Sequence, residues 1–273
     1  MSGEGDDRTW PSFAGQGALV TAAGSGIGAE TARRLARRGA GVVVQDLSGT
    51  RATAVAEEIV SSGGLATPIK GDVADPGAIP AAVDLALERY GSLGVLVNNA
   101  GLAHRGPLEE TTLESWNRVL QVTLTSTFLG IQQGIRVMKP RGGGAIVNIA
   151  SIAGLGGEVG IGSYCAAKSG VVNLTRVAAL EAGPHQVRIN CVCPGIVRTA
   201  TVAAALEEDG GEGEEEVAAH HPIRRVGEAA EVASLVTYLA SAEAGFITGA
   251  VFTIDGGLTA AAGLPDTWGR SGA

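Results

Sequence analysis

Short apolar runs punctuate the chain at nearly even intervals, and each ends in glycine or a polar side chain. They occupy residues 17–21 (GALVT), 41–46 (GVVVQD), 66–70, 95–98, 145–149 (AIVNI), 188–193 (RINCVC) and 251–254. Brief runs of this kind suit strands covered on both faces. Between them, residues 29–38, 50–61, 76–90, 113–138, 163–182 and 228–240 have helical composition. In the longest, Leu113, Trp116, Leu120, Leu124, Phe128, Ile131 and Ile135 recur every three or four positions, predicting one amphipathic helix. Strands alternating with helices predict a single doubly wound α/β domain with a parallel sheet and right-handed crossovers. In such sheets ligands bind outside the carboxyl ends of the strands. The polar and glycine-rich punctuation falls at those ends: residues 22–28 (AAGSGIG), Asp46, Asp72, residues 98–101 (NNAG), Ser151 and Pro194-Gly195.

Composition narrows the class. A chain of 273 residues with 45% hydrophobic and 18% charged residues can bury a large core in one domain. No apolar run reaches the ~18–20 residues of a membrane span. The acidic start, MSGEGDDRTWPS, lacks the apolar core of a signal peptide, and residues 1–12 read as a tail. Cys165, Cys191 and Cys193 form neither a disulfide framework nor a metal spacing, so a reducing cytoplasm is expected and no metal. A net charge of −8 argues against nucleic acid and anionic membranes as partners. The adjacent His220-His221 read as loop residues, and the acidic run from Glu207 to Glu216 as a solvated loop.

Candidate chemistry concentrates in three places. Residues 22–28 join a strand to a helix, where glycines let backbone approach a pyrophosphate and the helix N-terminus offers free N–H groups. Asp46 ends the second strand and can accept both hydroxyls of an adenosine ribose; its plainer reading is a turn or N-cap aspartate. Leu47 and Ser25 supply no cation for a 2′-phosphate, which favours NAD over NADP. Of the paired amides after the fourth strand, Asn98 reads as structural and Asn99 as the cofactor contact. Tyr164 and Lys168 stand four apart, on one helix face, and Ser151 closes the strand before them. Tyrosine titrates near ~10, and a nearby ammonium favours its phenolate. A phenolate is the base that oxidation of a carbinol requires, and Ser151 can anchor the substrate oxygen. Cys165 points about 100° away around the helix and reads as packing.

In order and register, the residues from about 13 to 258 resemble the short-chain dehydrogenase/reductases. The family's T-G-x-x-x-G-x-G is residues 21–28, its N-N-A-G residues 98–101, and its Ser…Tyr-x-x-x-Lys is Ser151, Tyr164 and Lys168. Its P-G-x-x-x-T is Pro194-Gly195 through Thr199, and its terminal D-G-G is Asp255-Gly256-Gly257. The resemblance implies a Rossmann-like domain with a seven-stranded parallel sheet and reversible oxidation of a secondary alcohol. It implies dinucleotide contacts from Ala22, Ser25, Gly26, Ile27, Gly28, Asp46, Leu47, Asp72, Val73, Asn99, Ala100, Gly101, Tyr164, Lys168, Pro194, Gly195, Val197 and Thr199. It also implies a substrate lid over residues 198–222, a C-terminal tail from 259, and a homotetramer using helices 113–138 and 163–182. Two positions depart from the family. Ala22 replaces its first glycine, and Thr123 replaces the asparagine whose backbone region carries a proton relay to the lysine. The relay is therefore expected to be altered, with Thr123 counted in the catalytic group. Two alternatives stay open: an NADPH-dependent 3-oxoacyl-carrier reductase, and a cofactor-binding protein without redox activity.

Overall fold

A computed structural model describes residues 12–199, 202 and 213–260. Most of the expected N-terminal tail, residues 203–212 of the lid with the acidic run's first half, and residues 261–273 of the C-terminal tail lie outside these.

The first half runs β1 (Gly17–Val20), α1 (Gly26–Arg37), β2 (Gly41–Asp46), α2 (Gly49–Ser61), β3 (Leu65–Lys70), α3 (Ala78–Tyr90) and β4 (Val95–Asn98). It continues through α4 (Leu113–Leu120), α5 (Ser126–Met138), β5 (Gly144–Ile149), α6 (Gly162–Ala182) and β6 (Val187–Pro194). The chain closes with α7 (Glu214–His220), α8 (Ala229–Ala240) and β7 (Val251–Ile254). All seven strands join one parallel sheet, ordered β3-β2-β1-β4-β5-β6-β7. The order reverses between β1 and β4, which opens a crevice at their carboxyl ends.

Strand residues alternate between two cores, as a doubly covered sheet requires. Ala18, Val20, Val42 and Val44 pack with α1, α2 and α8. Leu19, Val43, Leu96 and Ile146 pack with α3, α5 and α6. Local signals set several ends. Ser48 and Thr112 accept the backbone N–H three residues on at the starts of α2 and α4, while a Glu228–Glu231 capping box opens α8.

The continuous helix expected over 113–138 is interrupted. Residues Gln121–Thr125 form a π-helical turn between α4 and α5. The apolar stripe marks the core face only in part: Ile131 is buried, but Leu113 and Phe128 are 73% and 43% exposed. Burial also falls on Val119, Thr123, Ser126, Thr127, Gly130, Gly134 and Met138. The cause is close approach to the sheet. A β-carbon at Gly130 would lie 2.0 Å from Asn98 Oδ1, so this face is built from small residues. Leu113 and Phe128 are left outside.

Candidate active site

The crevice begins at Thr21, just past β1. Its hydroxyl accepts the N–H groups of Asn99 (2.9 Å) and Ala100 (3.2 Å), and Asn99 Nδ2 donates to the carbonyls of Thr21 (3.0 Å) and Ala22 (3.1 Å). The ends of β1 and β4 are thus tied together. Asn99, expected to contact the cofactor, uses its amide nitrogen to hold the glycine-rich turn. Asn98 is structural as expected: its amide donates to Asn148 Oδ1, and Asn148 donates to the Thr175 hydroxyl.

The turn is shaped for close approach. A β-carbon at Gly28 would lie 2.4 Å from the Ala22 carbonyl oxygen, and one at Gly24 2.7 Å from Asp46 Oδ2. Ser25 gives α1 no side-chain cap, so its first-turn N–H groups are presented to the crevice. Thr199 returns over this turn, its methyl 3.1 Å from where a β-carbon of Gly26 would stand. A backbone cradle with no room for side chains, at a helix N-terminus, fits a pyrophosphate. Ala22 keeps the turn at φ 49°, a left-handed conformation the family's glycine adopts without cost.

Asp46 ends β2 facing the turn. Its Oδ2 accepts Gly24 N (2.9 Å), and its Oδ1 accepts Ser48 N (2.8 Å) and an Arg51 guanidinium N–H (2.9 Å). Arg51, in the first turn of α2, is a group that the sequence reading passed over; its only signal was its place five residues beyond the aspartate. Leu47 is exposed beside Asp46, and Val73 is buried. Asp72 accepts Ala74 N and Arg118 (both 2.9 Å), which hold its carboxyl below the usual range.

Ser151, Tyr164 and Lys168 converge beyond β5. Ser151 sits in extended backbone at the strand's end, where its hydroxyl accepts Ala153 N (3.2 Å) and neighbours the Tyr164 phenol. Lys168 is buried; its Nζ lies 5.4 Å from the Tyr164 ring centroid and donates to the Ile149 carbonyl at 2.6 Å. Gly101 forms the wall, since a β-carbon there would stand 3.2 Å from Lys168 Nζ. Burial pushes the phenol up to about 12, partly offset by the Ser151 hydrogen bond and reinforced by the Glu158 carboxylate. Desolvation of the phenolate is the leading cause of this shift. Burial also lowers Lys168 to about 8. Beneath the lysine lie the buried thiols of Cys191 and Cys193, alternate residues of β6 whose shared face the sequence pattern did not single out. The adjoining Cys193 and then burial push Cys191 up, which keeps it a neutral thiol.

Thr123 is buried inside the π turn. Its hydroxyl accepts Leu102 N (3.0 Å) and lies 3.3 Å from Leu102 O, while its carbonyl accepts the Thr127 hydroxyl (2.9 Å). One lone pair of the Thr123 carbonyl is thus used by Thr127, a second remains, and Lys168 donates to Ile149. Pro194 ends β6, Gly195 N bonds the Ile254 carbonyl (3.0 Å), and Val197 pairs in a two-residue bridge with Gly227. Asp255 of the D-G-G segment clamps its own turn through Gly257 N, Thr259 N and the Thr259 hydroxyl. His221 is buried rather than solvated, with Nδ1 3.0 Å from the Val217 carbonyl. No group of three or more metal-ligating side chains occurs among the described residues.

Comparison with known proteins extends these observations. A family model described as enoyl-(acyl carrier protein) reductase matches residues 21–259. The chain is 43% identical over 243 residues to the cyclohexanol dehydrogenase of an Acinetobacter species, covering 89% of this chain and 94% of that one. It is 40% identical over 246 residues to the 3-alpha-(or 20-beta)-hydroxysteroid dehydrogenase of Mycobacterium tuberculosis, covering 90% of each. The crystal structure of levodione reductase superposes with a TM-score of 0.88 at 34% identity, over 91% of this chain and 99% of that one.

Proposed function

Because this chain belongs to the short-chain dehydrogenase/reductases, we infer that it interconverts a ring-borne secondary alcohol and its ketone with a nicotinamide dinucleotide. The observation that carries this reading is the meeting of Ser151, Tyr164 and Lys168 beside the cradle of residues 22–28. When bound, the nicotinamide accepts or returns the hydride. In oxidation, Tyr164 takes the proton of the alcohol; in reduction, its phenol returns one to the ketone oxygen. Ser151 hydrogen-bonds the same oxygen and fixes it against the phenol. Lys168 places positive charge behind the ring, holds the nicotinamide ribose and helps form the phenolate. Thr123 positions the loop at Leu102 on the substrate side.

NAD is the preferred cofactor in this reading, because Asp46 presents a carboxylate where a ribose diol binds and a 2′-phosphate is repelled. Residues 25–28 would hold the pyrophosphate, Leu47, Asp72 and Val73 the adenosine, and Asn99–Gly101, Pro194-Gly195, Val197 and Thr199 the nicotinamide end.

The substrate is a compact or fused alicyclic alcohol. Leu102, Leu155 and Val159, on the segments after β4 and β5, expose apolar surface suited to a carbocycle. The names of the two relatives support this over a carrier-bound acyl chain. Exposed Leu113, Phe128, Val177 and Leu180 on α4, α5 and α6 are consistent with a homotetramer built on those helices. Free cysteines accord with a reducing cytoplasm.

The test is a panel of cyclic and aliphatic secondary alcohols with NAD, followed by absorbance of the reduced cofactor. Cyclic alcohols are expected to turn over best. Absence of reduced cofactor with every alcohol, and of its consumption with every matching ketone, would contradict the reading.

A further inference from the structure

Asp46 is not a free carboxylate awaiting a ribose. Its side chain is 4% exposed, and three donors already occupy it: Gly24 N, Ser48 N and Arg51. A carboxylate offers about four acceptor sites, so one remains where a ribose diol presents two hydroxyls. The two backbone donors are fixed by the turn and the α2 cap. The third, the Arg51 guanidinium, is 56% exposed and can leave. Arg51 is also held at the turn: a β-carbon on Gly24 would lie 2.7 Å from Arg51 Cβ and 2.7 Å from Asp46 Oδ2. The guanidinium therefore stands at the edge of the ribose position.

We propose that Arg51 is a specificity-determining residue that narrows the preference for NAD, by screening Asp46 and offering its remaining N–H donors to a 2′-phosphate. The proposal rests on the reading of Asp46 as the ribose acceptor. With NAD, the diol displaces the guanidinium from Oδ1. An exposed ion pair of this kind yields readily, so NAD still binds well. With NADP, Arg51 stays on Asp46 and neutralises the charge that would repel the phosphate. Its planar fork suits a phosphate oxygen better than a lysine does. The protein then accepts both cofactors with a modest bias, where an unscreened aspartate would exclude NADP.

The experiment titrates the intact protein with NADH and with NADPH, following cofactor fluorescence, for wild type, Arg51→Met and Arg51→Lys. Turnover is not required. In Arg51→Met, the NADPH dissociation constant is expected to rise about tenfold or more, the loss of a charge-assisted hydrogen bond. NADH should bind as before or up to about threefold tighter, since the diol meets less competition. Arg51→Lys should fall between, keeping charge without the fork. If the ratio of the two constants stays within about twofold of wild type in Arg51→Met, Arg51 merely packs there and the proposal fails. The underlying cofactor reading is tested separately by Asp46→Asn. If that variant binds NADH as tightly as wild type, the ribose reading of Asp46 fails and the screening role of Arg51 falls with it, whereas an unchanged ratio in Arg51→Met overturns the role of Arg51 alone.

Discussion

Lys168 Nζ lies 5.4 Å from the centre of the Tyr164 ring and is held there by the Ile149 carbonyl at 2.6 Å. A strand end, rather than solvent, thus anchors the ammonium that stands behind the phenol. Holding it buried has a cost, because desolvation lowers Lys168 to about 8.

Removing that charge should separate stability from activity. Between about pH 8 and the ordinary lysine value, the unfolded chain binds the proton and the native protein does not, so stability rises with pH through that window. Below it, the buried ammonium is a net cost. Lys168→Met is therefore expected to gain about 1–2 kcal/mol at pH 7, less than the full penalty because the Ile149 carbonyl loses its donor. Turnover should fall by about a hundredfold or more. Thermal melts at pH 7 and 10 check the first part, and initial rates the second.

The phenol sets the pH profile. Burial pushes Tyr164 up to about 12, so at neutral pH it is protonated and ready to act as an acid. Ketone reduction should vary little below its pKa on this account. Alcohol oxidation needs the phenolate, whose fraction grows about tenfold per pH unit below the pKa. The slope of log kcat/KM for oxidation against pH should approach one between 6 and about 7.5, where Lys168 keeps its charge. A flat oxidation profile would show that another group takes the proton.

Ala22 at φ 49° carries strain that a glycine would release. Ala22→Gly should raise stability by up to about 1 kcal/mol, the left-handed penalty less the added chain entropy. Nucleotide binding should be unchanged, because backbone N–H groups provide it. A denaturant midpoint and an NADH titration suffice as checks.

Thr123→Val deletes the acceptor of Leu102 N while keeping the shape of the side chain. The expected cost is about 1–2 kcal/mol of stability. KM for the alcohol should rise more than kcat falls, because the loop at Leu102 borders the substrate rather than the reacting atoms. Equal loss in kcat alone would assign Thr123 to proton transfer instead.

The fold was largely legible because its signals are local. Apolar strands ending in glycine, asparagine or aspartate gave the parallel sheet and the position of its crevice. What escaped depends on how closely elements approach one another. The stripe from Leu113 to Ile135 has helical spacing, yet the buried face is the one whose glycines let α5 settle on Asn98. No pattern of hydrophobicity reports that choice. Asn99 was legible as a polar group at a strand end, whereas its second task, holding the turn through the carbonyls of Thr21 and Ala22, follows only from the fold. Arg51 lay in a helix without any motif, and only the turn's geometry brings it to Asp46. Lys168 was legible as a partner of Tyr164, whereas the desolvation that pushes the phenol up follows only from burial.

The most direct measurement compares Tyr164→Phe with wild type, using a cyclic secondary alcohol that the wild type oxidises, together with NADH titration. Loss of the hydroxyl alone should lower kcat by about 10²–10⁴-fold while the NADH dissociation constant and the melting temperature stay close to wild type. Turnover retained near the wild-type rate in a variant that binds NADH normally would contradict Tyr164 as the group that exchanges the proton with substrate.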